Sequence, residues 1–391
     1  MDAAPAHMVS EYLRERRLAL VGFLERLALA ESPSTEPEAQ GEILGIISEA
    51  LAELGFSIHR IPGRRSGGHL YARAAGRERH APVQLLLGHC DTVWPLGTLK
   101  EMPVEVRDGV VRGPGVYDMK GGLAQMIFAL RALRDLGLKP PLTPVVFVNS
   151  DEERGSREST RHIRRLARAA ERAFVMEPSL GTSGRLKTAR KGVGRFSVVV
   201  EGEAAHAGLD PGGGASAILE LSYLIQALYA LNDPARGITV NVGTIDGGLH
   251  PNVVAPRSRA VVEVRVPNHE DARRVEEAIL ALEPVTPGVK LRVEGGMGRP
   301  PMEPTPRNRR LWRAAHGLGK ELGLDLEEGM AGGCSDGNTT SLFTATLDGL
   351  GAVGDGAHAR HEFVYVDRMV ERCALLALLL MVPSLAERSS A

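Results

Sequence analysis

The sequence predicts an α/β fold with a mixed, mainly parallel sheet, interrupted by a smaller α+β domain. Near-continuous apolar runs at residues 83–87 and 145–148 are typical of strands buried on both faces of such a sheet. Between them, residues 121–136 carry apolar side chains at helical spacing. A strand, a loop, a helix and a second buried strand in this order indicate a layered α/β domain.

The N-terminal region predicts helices followed by a strand. Apolar residues recur at helical spacing between residues 13 and 27, and again between residues 43 and 54. Gly55 is placed to end the second helix, and residues 56–61 then form a strand.

A different pattern begins near residue 190 and predicts a ferredoxin-like domain with a four-stranded antiparallel sheet. Its elements are a strand at 194–200, a helix at 215–231, strands at 238–245 and 257–266, a helix at 269–282 and a strand at 289–293. A Gly- and Pro-rich loop at 295–308 predicts a linker, and a helix at 311–322 follows. The predicted domains are therefore residues 1–189, 190–300 and 301–391.

Composition argues against several classes of partner. The 391 residues carry 47 Lys and Arg against 48 Asp and Glu, so bulk charge favours neither nucleic acid nor a membrane surface. No segment reaches the ~20 apolar residues that span a bilayer, and 375–385 is interpreted as a buried helix end. Three cysteines, Cys90, Cys334 and Cys373, are too few for a disulfide framework. With no secretory signal pattern at the N-terminus, we expect a cytoplasmic protein.

The first polar motif follows the strand at 83–87. His89 and Asp91 are two residues apart, so their side chains point the same way from an extended segment. The carboxylate of Asp91 could accept a hydrogen bond from the nitrogen of His89 that faces away from a metal. A surface turn explains this pair about as well as a metal site does.

Acidic residues occupy three further loops. Asp118 stands in a Gly-rich loop at the start of the 121–136 helix, where it could cap the helix or approach a ligand. Glu152 and Glu153 follow a buried strand, where unpaired acids would be costly. Of these two neighbours, one can bind a metal while the other acts as a general base. Glu177 follows another short apolar strand.

A late loop, residues 356–362, adds the histidines His358 and His361. Histidine nitrogens together with carboxylates suit zinc, and manganese or cobalt are tolerated by oxygen-rich sites. If Asp118 is shared, it would bridge two ions about 3.5–4 Å apart.

These five motifs in this order resemble the co-catalytic zinc metallopeptidase and deacylase family. That family includes bacterial glutamate carboxypeptidase (carboxypeptidase G), acetylornithine deacetylase, succinyl-diaminopimelate desuccinylase and aminoacylase. The resemblance covers essentially the whole chain and implies a three-layer, zinc-exopeptidase-like catalytic domain interrupted by a dimerisation (lid) domain, and two Zn²⁺ per subunit. It implies one ion on His89, Asp118 and Glu177, and the other on Asp118, Glu153 and His358.

The resemblance also implies Glu152 as general base and Asp91 as the partner of His89. In the last loop it selects His358, because the family pattern has Gly-Ala before the ligand and a Glu four residues after it, here Glu362. His361 then occupies a variable position and is expected to be an exposed loop residue.

In the inserted domain the resemblance assigns substrate contacts. His206, which alone would be interpreted as an ordinary loop histidine, would polarise the substrate carbonyl, in many relatives across a dimer. Asn252 and Arg265 match substrate-holding positions of the family, and the Arg265 guanidinium suits a carboxylate. The loop containing Gly333 resembles the one whose backbone amides meet that same carboxylate. We therefore expect a homodimer formed through residues 190–300.

The substrate class stays open at this level. The Gly113-Pro114-Gly115 form of the Asp118 loop is closest to the glutamate carboxypeptidase branch, which acts on a small peptide or N-acyl amino acid with a C-terminal Glu or Asp-like residue. An N-acyl-amino-acid deacylase is the alternative with the same chemistry. A non-catalytic binding protein on the same fold is the alternative from another class, and it is disfavoured because every expected ligand position and Glu152 are filled.

Overall fold

The computed structural model describes residues 3–76 and 81–385. By contacts, the chain forms two compact units: unit 1 is Met1–Thr188, Pro304–Met330 and Ser335–Ala391, and unit 2 is Ala189–Glu303 and Ala331–Cys334. Residues 331–334 belong to unit 2, whereas the predicted ranges assign them to the third segment, 301–391. The predicted ranges include residues 77–80 and 386–391, which lie outside the described residues. The catalytic and dimerisation roles of these ranges stay predictions.

The helices and strands alternate through most of the chain. In order they are α1 (Ala3–Glu15), α2 (Arg17–Leu29), α3 (Gln40–Glu53), β1 (Phe56–Ile61), β2 (His69–Ala74), β3 (Val83–His89), β4 (Glu105–Arg107), β5 (Val110–Arg112), α4 (Gly121–Asp135), β6 (Thr143–Asn149), α5 (Thr160–Ala169), β7 (Ala170–Val175), β8 (Leu186–Arg190), β9 (Gly192–Glu201), α6 (Ala217–Tyr229), β10 (Thr239–Gly247), β11 (Arg257–Val266), α7 (His269–Leu280), β12 (Lys290–Arg299), α8 (Pro306–Glu321), β13 (Glu328–Ala331), α9 (Asp336–Thr340), β14 (Ala345–Leu347), β15 (Gly354–Asp355), β16 (Phe363–Tyr365) and α10 (Val366–Met381).

The main sheet of unit 1 has six strands in the order β1-β2-β6-β3-β7-β14. Strands β6, β3, β7 and β14 pair in parallel, and β2 runs antiparallel to both of its neighbours. Every residue of β3 is buried, as the apolar run predicts for a strand covered on both faces. The predicted mixed, mainly parallel α/β fold is confirmed.

Side chains alternate between the two faces of this sheet. Leu86, Val146 and Phe174 point into a core shared with α4 and α10, whereas Leu87 and Phe147 join a second core with Ile163 of α5. Because helices cover both faces, the unit has three layers. The apolar C-terminal run lies in helix α10 up to Met381, and residues 375–380 are all buried, so the predicted buried helix end is confirmed for this part of the run.

Unit 2 is built on a four-stranded antiparallel sheet in the order β10-β11-β9-β12. The chain order β9-α6-β10-β11-α7-β12 is the predicted ferredoxin-like pattern. Apolar residues of α6 and α7 close a core over one face of this sheet.

The predicted linker at 295–308 is wrong in its first part. Residues up to Arg299 belong to β12 and pair with β9, because a neighbouring strand offers hydrogen bonds that local composition does not reveal. Helix α8 then begins at Pro306, five residues before the predicted start, with the side chain of Thr305 accepting the amide of Asn308 at 3.3 Å.

All three cysteines are free thiols. Among the described helices, none combines the length and apolarity required to cross a membrane.

Two helical glycines differ sharply in their surroundings. A Cβ atom on Gly122 of α4 would lie 1.9 Å from the carbonyl oxygen of Met176, whereas a Cβ on Gly45 of α3 would meet nothing within 4 Å. We expect Gly122→Ala to destabilise the protein by about 1–3 kcal/mol through overpacking. The matched variant Gly45→Ala should stabilise it by about 0.5–1 kcal/mol by favouring the helix. Urea unfolding measures both, and equal effects of the two variants would contradict this packing.

Candidate metal centre

Three neighbouring parallel strands deliver polar side chains to one edge of the main sheet. His89 is the last residue of β3, Glu152 and Glu153 follow β6, and Glu177 follows β7. Because β6, β3 and β7 are adjacent and parallel, their carboxyl ends meet at the same edge. This is where open α/β sheets place their binding sites.

Asp118 reaches the same edge from the turn that precedes α4. The turn depends on Gly115, which has φ of 75° and whose Cβ, if present, would lie 2.7 Å from Cγ2 of Thr92. Only glycine combines this backbone angle with such a close approach. The Asp118–Met119 peptide bond is cis.

His358 is contributed by the loop between β15 and β16. It adopts φ of 61°, in the left-handed region that non-glycine residues seldom occupy. Its neighbour Gly356 has φ of 87° and no room for a Cβ beside the backbone of Glu362. A tight loop with two left-handed residues therefore presents the imidazole of His358.

The structure brings all five predicted ligands together, with Asp118 between the two histidines. Its Oδ1 lies 3.3 Å from Nε2 of His89, and its Oδ2 lies 3.6 Å from Nε2 of His358. Nε2 of His89 is also 3.6 Å from Glu177, and Nε2 of His358 is 3.2 Å from Glu153. Asp118 thus stands between the two histidines with one oxygen facing each.

These separations fit a metal centre. Ligand atoms about 2.1 Å from one tetrahedral zinc ion lie about 3.4 Å from each other, close to the distances found here. Ligand atoms of His89, Asp118 and Glu153 all lie within 4.8 Å of one another, and so do those of His89, Glu152 and Glu177. Oδ1 of Asp118 is buried and receives no hydrogen bond from the described residues. A cation would satisfy this oxygen.

The pKa shifts reflect how strongly these groups depend on one another. Burial opposes protonation of His89, but contacts with Asp118 and Asp91 raise its pKa well above its ordinary value. The hydrogen bond to Glu153 raises the pKa of His358 to about 9. Burial raises the pKa of Glu153 to about 7, against the effect of His358. Protons thus offset negative charge in this cluster, and metal binding would displace them.

Asp91 is fully buried and contacts His89 and the backbone of Glu152 and Glu153. Nδ1 of His89 lies 3.0 Å from the backbone carbonyl of Asp91 and 3.5 Å from its carboxylate, so the carbonyl is the closer acceptor. The carboxylate instead accepts the amides of Glu152 and Glu153, at 3.1 and 3.2 Å, and the hydroxyl of Ser34 at 2.7 Å. Asp91 therefore ties the loop after β3 to the loop after β6.

The remaining predicted site residues lie in unit 2. Nδ1 of the exposed His206 ring accepts the amides of Gly208 and Leu209, both at 3.1 Å, which leaves Nε2 as the nitrogen that can donate a hydrogen bond. The amide of Ala207 donates to the carbonyl of Asn252 at 3.0 Å, so the loops of His206 and Asn252 are joined.

Arg265 also has defined partners within unit 2. Its Nη1 donates to the carbonyl of Gly332 at 2.8 Å, while Nε and Nη2 contact the carboxylate of Glu263, both at 2.9 Å. The carbonyl of Gly333 accepts from Arg190 at 3.1 Å. The exposed residues Gly332 and Gly333 are thereby held by Arg265 of β11 and by Arg190 at the end of β8.

Sequence reasoning missed three supporting residues. Glu263 already occupies part of the Arg265 guanidinium, Ser34 supports Asp91, and the buried carboxylate of Glu362 accepts several backbone amides of the Asp118 loop. At the level of sequence, Glu362 serves only to select His358 rather than His361 as the ligand. The sequence signal that could have suggested a structural partner is an acid directly before the short apolar strand that starts at Phe363, and the structure buries this Glu to 1% exposure.

A cluster of two histidines and four carboxylates, in which His89 and Glu177 are buried and His358 is exposed, lies at the carboxyl edge of a mainly parallel α/β sheet and is typical of a metal-dependent hydrolase. Sequence comparison agrees with this class. Residues 85–382 match the profile of Peptidase family M20/M25/M40, and the chain belongs to this family. The chain is therefore a metallohydrolase.

Curated relatives carry two kinds of name. Carboxypeptidase G2 of Pseudomonas sp. (strain RS-16) is 27% identical over 372 residues, covering 93% of this chain and 89% of the relative. Succinyl-diaminopimelate desuccinylase of Bradyrhizobium sp. (strain ORS 278) is 32% identical over 262 residues, covering 61% of this chain and 66% of the relative.

Solved structures share the fold. An aminopeptidase PepT from Bacillus cereus ATCC 10987 matches 93% of this chain and 98% of its own, with a TM-score of 0.76 and 20% identity. A Bacillus subtilis protein described as a dinuclear metal-binding peptidase of family M20 matches 94% and 98%, with a TM-score of 0.68 and 15% identity. These likenesses support the two-part α/β architecture.

The two histidines of the late loop provide a test of the ligand set. We expect His358→Ala to lower the number of metal ions retained after dialysis, because Nε2 of His358 faces Glu153 and Asp118. The neighbouring exposed His361 is the matched control, and His361→Ala should retain the parent's metal content. Metal analysis by mass spectrometry measures both variants. Equal metal content in the two would remove His358 from the ligand set.

Proposed function

We propose that this metallohydrolase uses two zinc ions to cleave an amide or peptide bond beside a free carboxylate, as a glutamate-carboxypeptidase-like exopeptidase. The observation that carries the proposal is the position of Asp118, with one oxygen facing His89 and the other facing His358. A carboxylate placed in this way is suited to bridging two ions.

The proposed ligands are those implied by the sequence. His89, Asp118 and Glu177 would hold one ion, and Asp118, Glu153 and His358 the other. Nitrogen and carboxylate donors suit Zn²⁺, and Co²⁺ or Mn²⁺ are the expected substitutes. The Bacillus subtilis neighbour is named as a dinuclear metal-binding peptidase, which supports two ions rather than one.

The proposed mechanism assigns proton transfer to Glu152. When bound, the metal pair lowers the pKa of water toward neutrality and polarises the substrate carbonyl. Glu152 accepts the proton of the attacking water and passes it to the leaving amine. Its amide is held by Asp91, so the base is anchored to the segment that carries His89. In unit 2, Nε2–H of His206 would donate to the developing oxyanion.

The proposed substrate carries a carboxylate beside the scissile bond. Arg265, Asn252 and the Gly333 loop would hold this carboxylate, with the guanidinium supplying a charged donor. Carboxypeptidase G2 aligns with 93% of the chain, which favours a peptide or N-acyl compound ending in Glu or an Asp-like residue. The desuccinylase match at 32% identity supports the second candidate, an N-acyl-amino-acid deacylase.

We also propose a homodimer formed through unit 2. Strand β10 is an edge strand of its sheet, and the adjacent helix α6 exposes apolar side chains. Ile245 on β10 is 64% exposed, and Ile218, Leu219 and Tyr223 on α6 are 45–48% exposed. An unpaired strand beside an apolar helix face is typical of an association surface.

The free cysteines support a cytoplasmic location, because a reducing compartment keeps thiols unpaired.

Substitution of the proposed base tests the catalytic role. We expect Glu152→Gln to retain metal while kcat falls roughly 10²–10⁴-fold, because the amide cannot accept the proton. In the same assays His206→Ala should retain metal and lower kcat roughly 10²-fold. The panel comprises dipeptides and N-acyl amino acids ending in Glu, Asp or neutral residues, with Zn²⁺, Co²⁺ or Mn²⁺ added. The exposed Glu105→Gln serves as control. Near-normal turnover of Glu152→Gln would exclude it as the base.

The dimer proposal has its own measurement. We expect the parent protein to sediment as a dimer at micromolar concentration and Ile245→Lys to sediment as a monomer, because a charge on the edge strand opposes pairing. Leu18→Lys, at an 80% exposed site on α2 of unit 1, should stay dimeric. A monomeric parent, or loss of the dimer in Leu18→Lys alone, would refute association through unit 2.

A further inference from the structure

The carboxylate of Glu362 accepts four hydrogen bonds in the interior of unit 1. Oε1 accepts the amides of Tyr117 and Asp118, at 2.9 and 3.0 Å. Oε2 accepts the amide of Gly115 at 2.8 Å and the indole nitrogen of Trp94 at 2.9 Å. The residue is 1% exposed. Both oxygens are therefore engaged by N–H donors.

These donors come from two segments that carry proposed metal ligands. Trp94 lies three residues after Asp91, in the segment that begins with His89. Tyr117 and Asp118 form the turn that carries the bridging carboxylate. Glu362 itself lies four residues after His358. One side chain thus joins the loops of three proposed ligands.

The contact with the Asp118 turn is especially restrictive. Two consecutive amides converge on one oxygen, which fixes the orientation of the peptide unit that directly precedes the side chain of Asp118. On the other side, the amide of Glu362 donates to the carbonyl of Ala359 at 3.0 Å, which closes the His358 loop on itself. The direction of the Asp118 side chain is therefore coupled to the loop of His358.

Tyr117 extends this network to the fourth ligand loop. Its hydroxyl donates to the carbonyl of Ser179 at 2.7 Å, two residues after Glu177. The Asp118 turn is consequently held from two directions, by Glu362 on its amides and by the Glu177 loop on the Tyr117 ring.

We propose that Glu362 is a positioning residue, whose carboxylate holds the Asp118 turn and the His358 loop at the separation that two metal ions require. This inference rests on the two-metal function proposed above. Glu362 does not take part in coordination, because both of its oxygens point to N–H groups. Supporting hydrogen bonds of this kind typically change metal affinity 10–100-fold when they are removed.

The variant Glu362→Gln tests the proposal with little change of volume. Its amide nitrogen would face two N–H donors in place of an acceptor oxygen, so one pair of hydrogen bonds is lost. We expect the affinity of the metal-free protein for Co²⁺ to fall at least about tenfold. The visible d–d absorption of bound Co²⁺ should also change in intensity, because the ligand geometry relaxes. Titration followed by absorption, with metal counted by mass spectrometry, measures both effects without any substrate.

Two further variants separate positioning from general stability. Trp94→Phe removes one of the four donors, so its Co²⁺ affinity should fall by less than that of Glu362→Gln. Glu105→Gln alters an exposed carboxylate on β4 and should leave Co²⁺ affinity at the parent's value. Thermal unfolding of each metal-free variant is recorded in parallel.

The outcomes are distinct. A folded Glu362→Gln protein with the parent's Co²⁺ affinity and spectrum would overturn the positioning role, even if it melts at a lower temperature. If Glu362→Gln does not fold, unchanged Co²⁺ affinity in Trp94→Phe would overturn it. A parent protein that binds no Co²⁺ would overturn the two-metal function and this inference together. Reduced affinity of Glu362→Gln, with Glu105→Gln unchanged, supports it.

Discussion

Unit 1 depends on the concentration of negative charge at one edge of its main sheet. Asp118, Glu152, Glu153 and Glu177 converge there, and Asp91 and Glu362 are buried just behind them. Carboxylates brought this close repel one another and lose hydration, so the arrangement needs positive charge and N–H donors. The two histidines and a set of backbone amides provide this compensation, and metal ions would complete it.

Two kinds of structural element position the proposed ligands. Parallel strands set the positions of His89, Glu152 and Glu177, since strand ends in a hydrogen-bonded sheet have little freedom. Asp118 and His358 come from turns with left-handed residues, which are inherently less restricted. Two buried carboxylates add fixed contacts: Glu362 accepts amides of the Asp118 turn, and Asp91 accepts the amides of Glu152 and Glu153 that follow β6. Rigid elements and anchored turns thereby meet at one centre.

Much of this could be predicted from the sequence, for identifiable reasons. Apolar runs ending in His89, in Glu152 and Glu153, and before Glu177 reveal strand ends, and strand ends in a parallel sheet meet. The approach of His358 to Asp118 is the contact that local pattern cannot give, and only the family resemblance predicts it. The partners of Arg265 and Glu362, and the extension of β12 to Arg299, depend on long-range hydrogen bonds that leave no periodic signal. The roles assigned to His206, Asn252 and Gly333 come from the family resemblance alone and stay predictions.

The chain order of the ligands has a consequence for synthesis. His89, Asp118, Glu153 and Glu177 all precede unit 2 in the chain, whereas His358 and Glu362 follow it near the C-terminus. A ribosome therefore produces the acidic half of the centre, then the whole of unit 2, before the second histidine emerges. During that interval the early carboxylates lack both His358 and the anchor on the Asp118 turn. If two ions bind as proposed, the second could gain its full ligand set only after unit 2 and the His358 loop have both been made.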